Sequence, residues 1–212
     1  MEEDYSPLSH KSVCTLAAGI SGSGKTTFAL RYLVADDSFT CRCLFDPEGE
    51  FSNRLQLPAA ETLEELNFAV EDGFVIFDPH TLFPGNLSGA FEWFCDWSFA
   101  AASRLPGRKV MLLDEAWKYC SPHSIPFALS NCIRTGRKRG LEMFFCTQRP
   151  NKLNEAILNE TTELVCFRIQ GNNALGKVKD LGADDLEVSD LPLGSFVGRN
   201  VKSGVEIRGK LF

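Results

Sequence analysis

The chain has 212 residues, of which 44% are hydrophobic, so it is long enough for one large domain with a substantial core. Its formal net charge of -6 argues against bulk coating of nucleic acid, although a local basic patch stays compatible with it. The polar start MEEDYSPLSHKS is unlike a signal peptide, and no apolar run has the length of a membrane-spanning helix.

Short apolar runs alternate with longer helical patterns along the chain. The predicted strands are 12–18, 41–45, 74–77, 109–114, 141–147 and 163–169, and the predicted helices are 25–34, 61–72, 89–105, 123–139 and 152–160. Continuous apolar runs such as VMLL and MFFC are typical of strands buried on both faces. The pattern predicts an α/β fold in a single domain, residues 1–212, with a mostly parallel sheet flanked by helices. Residues 195–212 predict a β-hairpin at the carboxyl end.

The eight cysteines contain no CxxC pair and stand apart from the three histidines, so the spacing of a metal site is absent. Four of them, Cys14, Cys43, Cys146 and Cys166, lie in apolar strand-like runs, which predicts free thiols in a reducing cytosol.

The segment after the first strand contains a complete phosphate-loop motif. Residues 19–27 read GISGSGKTT, which matches GxxxxGK[ST] between an apolar strand and a helix. Glycines let backbone N–H groups turn toward phosphate oxygens at the positive end of the helix. We expect Lys25 to reach the β- and γ-phosphates and the Thr26 hydroxyl to bind Mg²⁺. Thr27 is either an α-phosphate contact or the next helical residue. The rest of the predicted nucleotide cradle is Gly19, Ser21, Gly22, Ser23 and Gly24.

An apolar strand, VMLL, ends in the paired acids Asp114 and Glu115, as expected of a Walker B segment. Asp114 would hold Mg²⁺ through its water shell, and Glu115 would orient and deprotonate the attacking water. Acidic residues are also favoured in the first turn of a helix, and Glu115 can serve both purposes.

Two further strand ends leave alternatives open. The acids of DPEGE, Asp46, Glu48 and Glu50, either line the site or form a turn. Gln148 either senses the γ-phosphate and the attacking water or is simply a polar strand end.

A basic cluster precedes the strand that Gln148 follows, and it consists of Arg134, Arg137, Lys138 and Arg139. Such a cluster also suits the last turn of a helix before Gly140. Seven strand residues at about 3.3 Å each put it roughly 20 Å from the chain's own phosphates. We therefore expect it to face another molecule, either the nucleotide of a neighbouring copy or DNA.

The segments GISGSGKTT, DPEGEF, MLLDEAW, RTGRKRGLEMFFCTQRP and LPLGSFVGR together resemble the FtsK–HerA superfamily of P-loop motors, over roughly residues 13 to 200. The resemblance implies a RecA/ASCE-like P-loop NTPase fold and a ring-forming ATPase that moves DNA. Within this superfamily, a chain of this size most resembles the genome-packaging ATPases of icosahedral viruses with an internal membrane. The resemblance also implies an arginine finger, for which Arg134, Arg137 and Arg139 are all candidates, and a sensor role for Gln148. We favour Arg137, which lies at the helix end beside Gly136, and then Arg134.

The leading hypothesis is therefore an ATP- and Mg²⁺-dependent motor that translocates double-stranded DNA, as a homo-oligomeric ring of roughly five or six subunits. Its expected location is the cytoplasm of a host cell or a packaging vertex, with capsid or viral membrane proteins as further partners. A small nucleotide or metabolite kinase and a slow regulatory NTP switch are the alternatives.

Overall fold

A computed structural model describes residues 14–212 of the chain. Within that range eight strands form one sheet, in the spatial order β3-β2-β4-β5-β1-β6-β7-β8. They are β1 (Cys14–Ala18), β2 (Phe39–Phe45), β3 (Phe74–Phe77), β4 (Arg108–Asp114), β5 (Leu141–Thr147), β6 (Glu163–Cys166), β7 (Ser195–Asn200) and β8 (Glu206–Lys210). The pairs β1–β6, β2–β3 and β2–β4 are parallel, whereas β6–β7 and β7–β8 are antiparallel. The predicted α/β class and the terminal hairpin are confirmed.

The helices connect these strands. They are α1 (Lys25–Ala35), α2 (Glu50–Leu55), α3 (Leu63–Asp72), α4 (Leu87–Arg104), α5 (Phe127–Thr135), α6 (Glu155–Glu160), α7 (Asn172–Asp180) and α8 (Asp185–Asp190). Short 3₁₀ turns span Ala116–Lys118, Gly136–Arg139 and Pro150–Lys152. Polar side chains start several helices: Thr62 and Glu65 form a capping box on α3, and Asp184 accepts from two backbone N–H groups of α8.

The chain forms two compact units. The first comprises residues 14–35, 114–125 and 144–212, and its core centres on aromatic rings. Phe28 lies 4.9 Å from Phe196 and 6.0 Å from Phe167 between ring centroids. Edge-to-face contacts of this kind add to the stabilisation from apolar burial.

The second unit comprises residues 36–113 and 126–143. Its core also rests on aromatic packing, with Phe77 stacked 5.3 Å from Phe94 and Phe45 5.5 Å from Phe91. At its margin Arg108 donates to both oxygens of Glu142, a side chain that is only 3% exposed.

Several predicted element bounds need correction. The predicted helix 123–139 starts later, at Phe127, because Pro126 precedes it, and residues 136–139 continue as a 3₁₀ turn. The predicted strand 163–169 ends at Cys166, and the strand predicted from residue 12 begins at Cys14, with residues 12 and 13 outside the described residues. Helices α2, α7 and α8 were not predicted.

All eight cysteines are free, and all except Cys120 are buried, including the four that the sequence places in apolar runs. Burial raises the pKa of Cys14 and of Cys166 to about 12, so these thiols stay protonated at neutral pH. Within residues 14–212, none of the helices is long and apolar enough to cross a membrane.

Candidate active site

The phosphate loop lies in the first unit, between β1 and α1. The Gly19 backbone N–H donates to the Thr147 carbonyl (3.1 Å), and that of Ile20 donates to the Arg168 carbonyl (2.8 Å). Gly22 and Gly24 have φ values of 69° and 113°, a left-handed region that glycine adopts without steric cost. The loop is thus fixed at its start to the ends of the two strands that neighbour β1.

The far side of the loop rests on the carboxyl-terminal hairpin. The Gly194 N–H donates to the Ser23 carbonyl at 3.2 Å. A β-carbon on Gly24 would come within 2.8 Å of Leu211 and 3.1 Å of Phe167, so only glycine fits at that position. The conformation of the loop is therefore set by residues more than 140 positions away in sequence as well as by its own glycines.

The loop has the features of a phosphate cradle. Among the described residues, the backbone N–H groups of Gly22, Gly24, Lys25 and Thr26 have no acceptor within the chain. The ammonium of Lys25 lies inside the curl, where it donates to the Ile20 carbonyl at 3.0 Å, and this side chain is only 5% exposed. Free N–H groups beside a buried ammonium at the start of an 11-residue helix fit the charge and acceptor set of a nucleotide's phosphates.

The side chains that follow the loop fit a Mg²⁺ ion. The Thr26 hydroxyl lies 3.5 Å from an Asp114 carboxylate oxygen, which brings together the two oxygen donors that the sequence predicted as ligands. Among residues 14–212, no group of three His, Cys, Asp or Glu side chains would hold a metal ion by itself. Mg²⁺ commonly takes one or two protein oxygens and completes its shell with phosphates and water, so a nucleotide would supply the remainder.

Glu115 has an unusual backbone conformation for a residue that is not glycine. Its φ and ψ are 49° and 42°, the left-handed region, which costs roughly 1–2 kcal/mol for an L-residue. Its backbone N–H donates to the Cys146 carbonyl at 2.9 Å, so the turn is tied to β5. Strain that the surroundings maintain in this way is characteristic of functional sites.

The Glu115 carboxylate is held by several donors at the end of β5. The Gln148 backbone N–H lies 3.0 and 3.2 Å from its two oxygens, and the Thr147 hydroxyl lies 3.4 Å from Oε2. The indole N–H of Trp117 also donates to Oε2. The candidate catalytic base and Gln148 are thus adjacent, although the contact uses the main chain of Gln148. Its side chain is exposed, and its sensor role stays a prediction.

Sequence reasoning missed Trp117, Thr147 and Arg149 as parts of this site. Arg149 places its guanidinium carbon 4.8 Å from the centre of the Trp117 ring, and its backbone N–H donates to the Thr147 hydroxyl at 2.9 Å. The signals were present, since Trp117 belongs to the DEAW segment and Arg149 follows Gln148. What was lacking was the turn at Glu115 that brings them together.

The acids of DPEGE lie in the second unit, and the contacts of two of them, Asp46 and Glu50, favour the turn alternative for these two residues. Asp46 is buried, and its carboxylate accepts from the backbone N–H groups of Phe51 and Ser52 at 3.1 and 2.8 Å. Glu50 pairs with Arg54 at 2.8 Å on the surface of α2. Asp46 therefore stabilises the start of α2, which is a structural role.

The basic cluster also lies in the second unit, and its members are exposed. Arg139 is engaged within its own unit, since it stacks 4.3 Å above Phe99 and donates to the Ser103 hydroxyl at 2.7 Å. Among the described residues, Arg134 and Arg137 have no carboxylate partner, which leaves both guanidinium groups available to another molecule. Which of Arg134, Arg137 and Arg139 acts as a finger stays a prediction.

No family model and no curated protein sequence matches this chain. Solved structures do. The genome packaging NTPase B204 from Sulfolobus turreted icosahedral virus 2, in complex with AMPPCP, has a TM-score of 0.74 at 17% identity. The matched region covers 97% of this chain and 100% of the B204 chain. B204 from Sulfolobus turreted icosahedral virus, described as a DNA-packaging ATPase, has a TM-score of 0.68 at 18% identity, with 93% and 97% covered.

VirB4 of Thermoanaerobacter pseudethanolicus is also similar, with a TM-score of 0.70 at 13% identity over 93% of this chain and 88% of its own. At these identities the likeness is one of fold, and it spans nearly the whole chain. The chain therefore has the fold of the P-loop ATPases of the FtsK–HerA type, the resemblance that its motifs predicted.

Proposed function

We propose that this protein is an ATP-hydrolysing motor of the FtsK–HerA superfamily, in a single ATPase domain, that translocates double-stranded DNA during packaging of a viral genome. The observation that carries the hydrolytic part is the position of Glu115. It directly follows Asp114, whose carboxylate meets Thr26 of the phosphate loop, and its own carboxylate is fixed beside the end of β5. A carboxylate in this place suits activation of water, which a kinase does not need.

Each site residue has a proposed role. The loop N–H groups and Lys25 bind the phosphates of ATP, and Thr26 with Asp114 holds Mg²⁺, which would neutralise charge on the β- and γ-phosphate oxygens when bound. Glu115 accepts a proton from the attacking water. Thr27 lies at the third position of α1, where an α-phosphate contact stays a proposal.

DNA packaging rests on two lines of support. Two similar structures are described as packaging enzymes, and the exposed Arg134 and Arg137 offer guanidinium groups that bind phosphates well. We propose a homo-oligomeric ring in which Arg137 reaches the nucleotide of a neighbouring copy, with Arg134 as the second candidate. Capsid-vertex or viral membrane proteins would be its further partners, in the host cytoplasm or at the virion.

The test is phosphate release with and without duplex DNA, run beside Lys25→Ala. The motor predicts Mg²⁺-dependent hydrolysis that duplex DNA strongly stimulates and that Lys25→Ala abolishes. Transfer of phosphate to a small acceptor would identify a kinase instead, and a slow rate that ignores DNA would identify a regulatory switch.

A further inference from the structure

The Glu115 carboxylate carries an uneven set of hydrogen bonds. Oε2 receives three donors, which are the Trp117 indole N–H, the Thr147 hydroxyl and the Gln148 backbone N–H, whereas Oε1 receives only the last of these. An ionised carboxylate oxygen has about two lone-pair sites, so Oε2 has no site left for a water molecule. One of the two oxygens of the candidate base therefore has its acceptor sites filled by donors of the protein.

Trp117 is the most easily displaced of these donors. The other two belong to the strand end Thr147–Gln148, whose position the sheet fixes, whereas the indole stands on a short 3₁₀ turn and is half-buried. Its ring also carries Arg149, an exposed residue whose guanidinium lies 4.8 Å from the ring centre. A cation over an indole face draws electron density from the ring, which makes its N–H a stronger donor.

Arg149 is suited to bind a phosphate. Its guanidinium offers five N–H donors, and among residues 14–212 no carboxylate pairs with it. Arginine binds phosphate oxygens through two parallel hydrogen bonds, which are stronger than an exposed cation–π contact of about 0.5–1 kcal/mol. A phosphate that binds Arg149 would therefore draw it off the Trp117 ring.

We propose that Trp117 and Arg149 form a release mechanism for the catalytic base, with Trp117 holding Glu115 in a resting position and Arg149 coupling it to a bound phosphate. The proposal rests on the proposed function, because it assumes that Glu115 activates water. When a phosphate group takes Arg149, the indole N–H becomes a weaker donor and the indole loses its stacking partner. Oε2 then keeps only the Thr147 hydroxyl and a share of the Gln148 N–H, which lies closer to Oε1 (3.0 Å) than to Oε2 (3.2 Å), so a water molecule can donate its proton to Oε2. Trp117 and Arg149 are positioning residues, since neither needs to touch the reacting atoms.

The source of the phosphate is either the DNA backbone or a nucleotide on a neighbouring copy. A DNA titration at fixed protein concentration tests the first source. A protein titration without DNA tests the second, because a neighbour's nucleotide acts only when copies assemble. In both cases Arg149→Gln should reduce the stimulation.

The decisive variant is Trp117→Phe, which keeps the ring beneath Arg149 and removes the N–H donor. We expect its basal ATP turnover without DNA to rise about tenfold, the effect of losing one hydrogen bond to a charged group, and its stimulation ratio to fall by the same factor. Trp97→Phe is the matched control, because it makes the same change in the second unit and should leave both values unaltered. Thr147→Val should also raise the basal rate, because valine is similar in size to threonine but lacks the hydroxyl that donates to Oε2.

Merely structural damage would instead lower turnover together with thermal stability or nucleotide affinity, so both are measured for every variant. A basal rate in Trp117→Phe equal to or below that of the parent, with folding and nucleotide affinity intact, would overturn the proposal. The fluorescence of Trp117 is obtained by subtracting the signal of Trp117→Phe from that of the parent. It should change when duplex DNA or self-assembly stimulates the parent, and it should not change in a protein that carries Arg149→Gln.

Failure of the release mechanism and failure of the proposed function give different results. If duplex DNA does not stimulate the parent but Lys25-dependent hydrolysis is present, the motor is wrong, and the basal rate of Trp117→Phe still decides the release mechanism. If the parent shows no Lys25-dependent hydrolysis, both are wrong.

Discussion

Replacing Glu115 by glutamine should separate nucleotide binding from hydrolysis. The substitution keeps the shape of the side chain but replaces one acceptor oxygen by an NH₂ group. In the structure both oxygens of Glu115 accept, Oε1 from Gln148 and Oε2 from Trp117 and Thr147 as well. A glutamine amide offers one acceptor, so in either orientation an N–H group would meet another N–H group.

Two magnitudes follow from this geometry. Loss of a general base lowers turnover by about 10²–10⁴-fold, so kcat should fall within that range. The mismatched hydrogen bond should cost about 1 kcal/mol of folding stability, the net value of one such bond at a half-buried site. Nucleotide affinity should stay near that of the parent, because the phosphate loop, Lys25 and Thr26 are unaltered.

The assay combines single-turnover phosphate release with equilibrium binding of a fluorescent ATP analogue. Glu50→Gln is the control, because it makes the same chemical change on a surface residue that pairs with Arg54 and should leave turnover unchanged. Turnover of Glu115→Gln at the parent rate would refute the assignment and move the search for the base to Glu48.

Three further predictions concern other residues. Lys25→Ala should abolish turnover and weaken nucleotide binding, because it removes the buried ammonium of the phosphate loop, and normal phosphate release by this variant would contradict the loop assignment. Arg137→Ala should be inactive alone, a loss of roughly 10³-fold, yet mixing it with Lys25→Ala should restore some activity where an intact arginine faces an intact loop. No recovery in demonstrably mixed oligomers would rule out a finger supplied by a neighbour. Glu163→Gln should stabilise the protein at neutral pH by about 1–3 kcal/mol, because Glu163 is 1% exposed and burial raises the pKa of its carboxyl above the ordinary 4.5. Because its pKa is raised, Glu163 favours the protonated form in the folded protein. The parent therefore loses folding stability as the pH rises from about 4.5, the ordinary pKa, through the pKa of Glu163 in the folded protein. The difference in melting temperature should therefore vanish below about pH 4, and a difference that is independent of pH would contradict this reasoning.

The strand bounds were predictable from sequence where turn residues flank a mostly apolar run. β3 and β5 have the predicted bounds, because a glycine directly precedes each run. Helices α7 and α8 were not predicted, because each buries only one or two apolar side chains. In addition, α7 begins with two asparagines, which favour turns. Their place is decided by packing rather than by local pattern.

The candidate site divides in the same way. Lys25, Thr26, Asp114 and Glu115 were predicted because each belongs to a local motif at the end of a parallel strand. The left-handed turn at Glu115 was not predictable, since no local rule assigns positive φ to a glutamate. Contacts such as Gly194 with Ser23 depend on distant parts of the chain and need the fold.

Movement along DNA is the central claim, and a triplex-displacement measurement tests it most directly. A short third strand is bound to duplex DNA, and its release is followed after ATP and Mg²⁺ are added to the protein. We predict ATP-dependent displacement that Lys25→Ala and Glu115→Gln both abolish. An intact triplex under conditions where duplex DNA stimulates ATP hydrolysis would contradict it, because the protein would then hydrolyse ATP on DNA without moving along it.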